Sequence, residues 1–254
     1  MVTRPYFSPQ DGSIGVLEKD SPPFKWNPGF SHSQKLKNVR GLHLAICHED
    51  PTRHPLEVSS KSSESLGISL SAFNLGARDR KGLFNSVESV FQASKVFEGN
   101  AGPFPDLYSQ NPAIVRSEIK KYKEKKLVGF KYGSEEWGLE PTRAFYDWVY
   151  CRALHRNSEY VEKIKEYNCF TDIEFNPVKS LNCQAYAIAL YLSLERNGVL
   201  EKALSCRESF LKFHPHDVVE HAKSNTAKSK KPKMLTETPN VDRVAQTSFD
   251  NLYE

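Results

Sequence analysis

From Ser86 onward the chain carries successive segments whose apolar residues recur at helical spacing: Ser86–Phe97, Ala113–Lys126, Pro141–Arg156, Glu159–Tyr167, Asn182–Arg196 and Leu200–Phe213. Recurrence every three to four residues sets those side chains on one helix face, which has to be buried against another element. Pro141 suits a first helical position, and Asn197-Gly198 supplies a stop, because glycine adopts the left-handed conformation without steric cost. Upstream the pattern differs. Residues 1–30 alternate short apolar runs with turn signals (Arg4-Pro5-Tyr6-Phe7, Asp11-Gly12, Ile14–Leu17, Pro22-Pro23), as short strands or extended arms do. Ser31 is placed to cap a helix running to about His48. Leu56-Glu57-Val58 and Ile68–Leu75 read as strands, separated by the polar stretch Ser59–Ser65. The expected fold class is α+β, mainly α-helical.

Composition narrows the function classes. A chain of 254 residues that is 39% hydrophobic, with 15 Phe, 11 Tyr and 3 Trp, supports a buried core. The formal charge of +4 is mildly basic, and much of it is local: Ala222–Lys233 holds five Lys and no acid. That balance describes a near-neutral body with a basic tail, not a basic nucleic-acid-binding domain. Cys47, Cys151, Cys169, Cys183 and Cys206 show no CxxC spacing, so neither a zinc ribbon nor a redox pair is indicated. His214-Pro215-His216 reads as a surface pair, and no metal or cofactor site is expected. No Gly-rich phosphate loop of Walker or Rossmann form is present. The segment MVTRPYFSPQ has no apolar h-region, and nowhere do 18 apolar residues run together, so a cytoplasmic chain without membrane contact is expected.

One segment stands apart. In Phe84–Phe97 the residues Val87, Val90, Phe91, Ser94 and Phe97 form an apolar arc, while Glu88, Gln92 and Lys95 fall within about 60° of one another on a second stripe. A solvated polar face that suits the helix dipole is one reading. Against it, Phe84 and Val96 flank the stripe, and Glu88 and Lys95 stand two turns, ~10 Å, apart along the axis, too far to pair directly. The other reading is the wall of a site.

The run S-V-E-S-V-F-Q-A-S-K resembles the signature helix of the NADAR family, (S/T)-x-E-x-x-x-Q-x-x-K. Ser71-Ala72-Phe73-Asn74 is similar to the S-N-F motif that precedes that helix. Phe145–Trp148 through Leu154–Asn157 resembles a further family helix. Thr171–Phe175 and Leu181–Ala185 sit where the family places an acidic loop and an Asn-containing helix start. The likeness runs from about Leu56 to Leu204. The segments RPYFSPQDGSIGVLE, FKWNPGFSHSQKLK and TDIEFNPVKS resemble the subgroup of NADAR antitoxins that accompany DarT-type DNA ADP-ribosyltransferase toxins. The Trp-Gly signature of YbiA-like relatives is missing, Asp172–Pro177 standing in its place, which argues against their riboflavin-intermediate hydrolysis. The resemblance implies a single NADAR/YbiA-like domain over 56–214, with residues 1–55 as an N-terminal extension packed on the core and 215–254 as a flexible tail.

The resemblance further implies hydrolysis of the bond between ADP-ribose and a guanine amino nitrogen in DNA, with ADP-ribose as product, no cofactor, and a DarT-type toxin as possible partner. Glycosidic cleavage needs one group to protonate the leaving base and another to activate water; Glu88 and Asp172 are the candidates, in either order. A glycosylated amine can also open to an imine that a lysine attacks. Lys61, in Ser59–Ser62 at the end of a strand, is the preferred nucleophile, and Lys95 holds charge. Direct attack by water stays open. For binding, Phe73, Trp148 and Tyr146 offer aromatic faces, while Asn74, Gln92, Glu174, Asn182 and Gln184 offer hydrogen bonds. Core packing is the alternative for the aromatics, and capping of Asn182–Arg196 the alternative for Asn182. A non-catalytic binder of ADP-ribosylated DNA or of the toxin, or an N-glycosidase of a nucleotide metabolite, are the competing functions.

Overall fold

A computed structural model describes residues 1–176 and 182–215. In chain order the elements are β1 (Pro5–Pro9), β2 (Val16–Asp20), α1 (His32–Glu49), β3 (Pro55–Glu57), α2 (Ser65–Ser69), β4 (Gly76–Arg78), β5 (Phe84–Ser86), α3 (Val87–Ala93), β6 (Lys95–Phe97), α4 (Pro112–Lys120), β7 (Leu127–Tyr132), β8 (Glu135–Trp137), α5 (Ala144–His155), α6 (Ser158–Ile164), β9 (Cys169–Thr171), α7 (Gln184–Arg196), α8 (Leu200–Leu204) and α9 (Arg207–Phe213). The fold is α+β with helix in the majority. Among the described residues no helix is long and apolar enough to cross a membrane.

Two helices make the centre. α7 buries every residue from Ala185 to Leu194, and α5 buries Ala144 through Cys151. A helix apolar on all sides needs cover on all sides. α7 packs on α5 and on β1, and the polar Ser193 within it is satisfied by the Gly15 amide at 2.9 Å. α7 ends as the sequence predicts: Gly198 lies at φ +67°, its amide bonds the Glu195 carbonyl at 2.9 Å, and the Val199 amide reaches Leu194 at 3.1 Å.

The four-stranded sheet runs β2-β1-β9-β3, with β1 antiparallel to both neighbours and β3 parallel to β9. Residues 1–55 therefore supply two strands of this sheet together with α1, which buries Val39, Leu42 and Ile46 against Tyr6 and Cys169. Ser31 caps α1 by accepting the Gln34 amide at 3.3 Å. β4 and β5 form a hairpin, and β6, β7 and β8 an antiparallel meander.

Several expected elements differ. Ile68–Leu75 is not a strand: α2 ends at Ser69 and a turn follows, closed by Asn74 and Leu75 amides on the Ser71 carbonyl. The segment 86–97 is helical only to Ala93, because Lys95 and Val96 pair with Phe130 and Gly129 of β7. Lys95 thus lies on a strand, off the stripe of Glu88 and Gln92. α4 stops at Lys120, after which the backbone runs in tighter turns, the Tyr122 and Lys125 amides bonding the Ile119 and Tyr122 carbonyls at 2.9 Å, before β7 begins. α5 begins at Ala144, after Pro141, and α7 at Gln184, with Cys183 rather than Asn182 in the cap position. The last segment splits into α8 and α9 around Ser205. His214 is buried, with Nε2 at 2.9 Å from Asp147 Oδ2, so it is no surface residue. His216 and the Lys-rich stretch within the tail lie outside the described residues.

Candidate active site

α3 starts abruptly from β5, and that start places the first carboxylate. Ser86 caps the helix by accepting the Ser89 amide at 3.1 Å. The next donors, the amides of Val87 and Glu88, bond the carbonyls of Leu75 and Ala72 at 2.8 and 2.9 Å. Groups left over at a helix start are thereby used to hold the Ala72–Leu75 turn against it. Glu88 is buried, accepts from Gln92 Nε2 at 3.1 Å, and has Arg116 Nε of α4 at 3.8 Å. The Arg116 guanidinium lies 5.3 Å from the Phe73 ring centre, and Phe73 is 41% exposed.

The second carboxylate follows β9. Because β3 and β9 are parallel, in register at Glu57 and Thr171, their C-terminal ends open side by side. Asp172 Oδ1 accepts the amides of Glu174 and Phe175 at 3.0 and 3.2 Å, a local turn that fixes the carboxylate. Gln184, in the first turn of α7, accepts the Ala72 amide at 2.7 Å and also hydrogen-bonds Asp172. One side chain thus ties the turn beside α3 to the loop after β9. Asp172 is raised well above the ordinary carboxylate range, by burial first and by the charge of Glu57 second.

In the sequence Glu57 stands only as part of the strand Leu56-Glu57-Val58. It is 1% exposed and accepts from Ser59 Oγ at 2.5 Å, Thr171 Oγ1 at 2.7 Å and the Ile173 amide at 2.9 Å. Burial raises it too. Thr171 in turn meets His43 Nε2 at 2.9 Å, and burial holds that imidazole down to about 4, so it is neutral. With the Thr171 hydroxyl proton given to Glu57, His43 donates through Nε2.

Tyr146 lies buried on α5. Its buried phenol is raised by burial first, and both Glu88 and Asp172 act on it electrostatically. Phe91 stands edge-on to Tyr146 at 5.3 Å, and Lys95 Nζ lies 5.6 Å from the Phe91 ring centre, so Lys95 flanks the site from β6. Lys61 follows β3 in a turn anchored through its own amide to Ser59 Oγ at 3.1 Å, and through Ser59 to Glu57. Arg143, at the start of α5, stacks on Tyr186 at 3.7 Å and acts on the neighbouring Cys183.

The fold therefore links Glu88 and Gln92 on α3 to Gln184 and Asp172 through the Ala72–Leu75 turn, with Phe73 in that turn, Lys61 in the turn after β3 and Lys95 on β6. Three expected binding residues are engaged elsewhere. Trp148 is 1% exposed, packed against Trp137 at 5.1 Å and covered by the Arg152 guanidinium at 4.3 Å, so no base can stack on it. Glu174 is exposed and pairs with Lys35 at 2.8 Å. Asn74 donates to the Ile68 carbonyl at 2.8 Å. Asn182 is half-buried, just before α7. Glu57, Arg116 and Arg143 are not singled out by the sequence. A lone acid in an apolar strand was the available signal for Glu57; the two arginines carry none without the tertiary contacts.

A family model described as DarT1-associated NADAR antitoxin matches residues 2–224. No curated protein matches the chain. The family match covers most of the sequence, and the chain belongs to the DarT1-associated NADAR antitoxins.

Proposed function

We propose that this NADAR antitoxin is an N-glycosidase that removes ADP-ribose from guanine in DNA, reversing the mark of a DarT-type toxin. The observation that carries the reading is that the Ala72 peptide links the two acid-bearing segments: the Glu88 amide bonds the Ala72 carbonyl at 2.9 Å, and Gln184, the hydrogen-bond partner of Asp172, accepts the Ala72 amide at 2.7 Å. The environments of the two acids differ. Asp172 sits in burial beside a second acid and so tends to keep a proton, as a general acid must. Glu88 accepts from Gln92 and faces Arg116, as suits a base.

In this reading the ADP-ribosyl ring opens to an imine at C1″, and the Lys61 amine adds to that carbon. Asp172 protonates the guanine amino nitrogen, the C1″–N bond breaks, and guanine leaves. Water then adds to the Lys61–sugar imine, with Glu88 taking its proton, and releases ADP-ribose and the free amine. Lys95 supplies positive charge at the flank. Phe73 offers a stacking face, and Gln92, Gln184 and Asn182 are hydrogen-bonding groups for ribose or base edges.

The test is incubation with oligonucleotides carrying ADP-ribose on guanine or on thymine. Release from guanine alone is expected, whereas tight binding without release sinks the reading and leaves a non-catalytic binder. Borohydride should trap a protein–sugar adduct that Lys61→Ala abolishes and Lys95→Ala retains. Release of ADP-ribose without any adduct replaces the lysine step with direct attack by water. Hydrolysis of nucleotide metabolites but not of DNA assigns the site to the metabolite class instead.

A further inference from the structure

On the far side of α3 from the acids lies a cavity of about 290 Å³. Val87 and Val90 form part of its wall. Glu88 and Gln92 each stand two positions from Val90, about 160° around the helix, so the cavity and the acid site occupy opposite faces of α3. Four arginines, Arg78, Arg80, Arg152 and Arg156, line the cavity, with Asp79 as its single acidic residue.

That carboxylate does not neutralise them. Asp79 Oδ1 accepts the Lys81 and Leu83 amides at 2.8 and 3.0 Å, closing the tip of the β4–β5 hairpin. Arg78 donates to the Gly82 carbonyl at 2.8 Å, which stiffens the same tip. None of the four arginines forms a salt bridge among the described residues. Arg152 and Arg156 stand one turn apart on α5 and repel, and Arg152 is lowered by burial first and by Arg156 second. Beneath Arg152, Trp148 lines the same cavity, and its buried indole N–H has no acceptor among the described residues. Like charges gathered on two rigid elements around a concave surface, over an apolar floor with an unused donor, make a site for a phosphorylated ligand.

We propose that this cavity binds a nucleotide phosphate, supplied by the DNA strand that carries the modified base. The phosphate chemistry stands on the arginines alone; the choice of DNA as its source rests on the function proposed above. Phosphate contacts on one face of α3 would hold the strand while the target nucleotide is worked on at the other.

The test uses the full chain and the variant Arg80→Ala/Arg156→Ala, both positions exposed and outside the acid site, with thermal melting to verify folding. Binding is measured to an unmodified single-stranded oligonucleotide across a salt series, and separately to AMP. The expected result is about tenfold weaker oligonucleotide binding and a salt slope shallower by about 1 to 2, as for lost phosphate contacts, with AMP binding absent or unchanged. AMP binding by the parent that the variant loses, with oligonucleotide binding unaltered, overturns DNA as the source and leaves a free-nucleotide pocket. A folded variant that matches the parent with both probes overturns the site. Because the DNA is unmodified, these outcomes do not depend on glycosidase activity, and failure of that activity would show separately.

Discussion

Gln184 holds Asp172 by a hydrogen bond while accepting the Ala72 amide at 2.7 Å, so a residue on α7 spaces the acid after β9 from the turn that seats Glu88. This side chain is one link between the segments that carry the two carboxylates. Gln184→Leu keeps much of the volume and removes both bonds. A misplacement of about 1 Å costs on the order of 10²-fold in rate, so kcat for ADP-ribose release should fall by about that factor. Stability should fall by only about 1–3 kcal/mol, from the Ala72 amide left unsatisfied. A variant with unchanged kcat would mean that Gln184 only packs.

Burial raises Asp172 most, and Glu57 adds to the shift. Its charge raises Asp172, so removing that charge lowers it. With Asp172 as the acid, activity declines as pH rises through its raised pKa, since the proton is then lost. Glu57→Gln should move that alkaline limb to lower pH, read from a kcat–pH profile. A limb that stays in place or moves upward would remove Asp172 from the acid role.

His43 gives a stability signature. Burial holds it down to about 4, against an ordinary value of about 6.5 in the unfolded chain. The unfolded state therefore binds the proton first. The stabilisation is present above about pH 6.5 and is lost as pH falls toward 4, on the order of 2 kcal/mol after allowance for partial exposure. His43→Gln keeps a donor for Thr171 and should flatten that part of the stability–pH curve in urea titrations. An equally steep curve in the variant would locate the dependence elsewhere.

Asp147 and His214 make a buried pair at 2.9 Å that fixes the end of α9 to α5. Among the described residues Asp147 Oδ1 and His214 Nδ1 have no other partner. His214→Ala leaves the acid stranded and should cost about 3 kcal/mol in denaturant unfolding. Asp147→Leu/His214→Leu should recover most of that loss, because both polar groups are then gone. A double variant as unstable as the single one would show that the pair is needed for packing as well as polarity.

What the sequence by itself determined is what neighbours along the chain can settle. Ser31 and Ser86 cap helices through amides three residues on, and Asn197-Gly198 closes α7, each by a bond within one or two turns. The order of residues also carried the family and the pairing of Glu88 with Gln92 on one helix face. The tertiary structure decided the rest. Lys95 left the helix because β7 offered it a strand partner, and Ile68–Leu75 turned instead of extending because the start of α3 takes its carbonyls. Trp148 went inside because Trp137 and Arg152 cover its faces. Glu57 met Thr171 across 114 residues, and Gln184 met Ala72 across 112. Periodicity reports which side of an element is apolar. It carries no information about which distant backbone competes for that element's hydrogen bonds, or which second acid shares its burial.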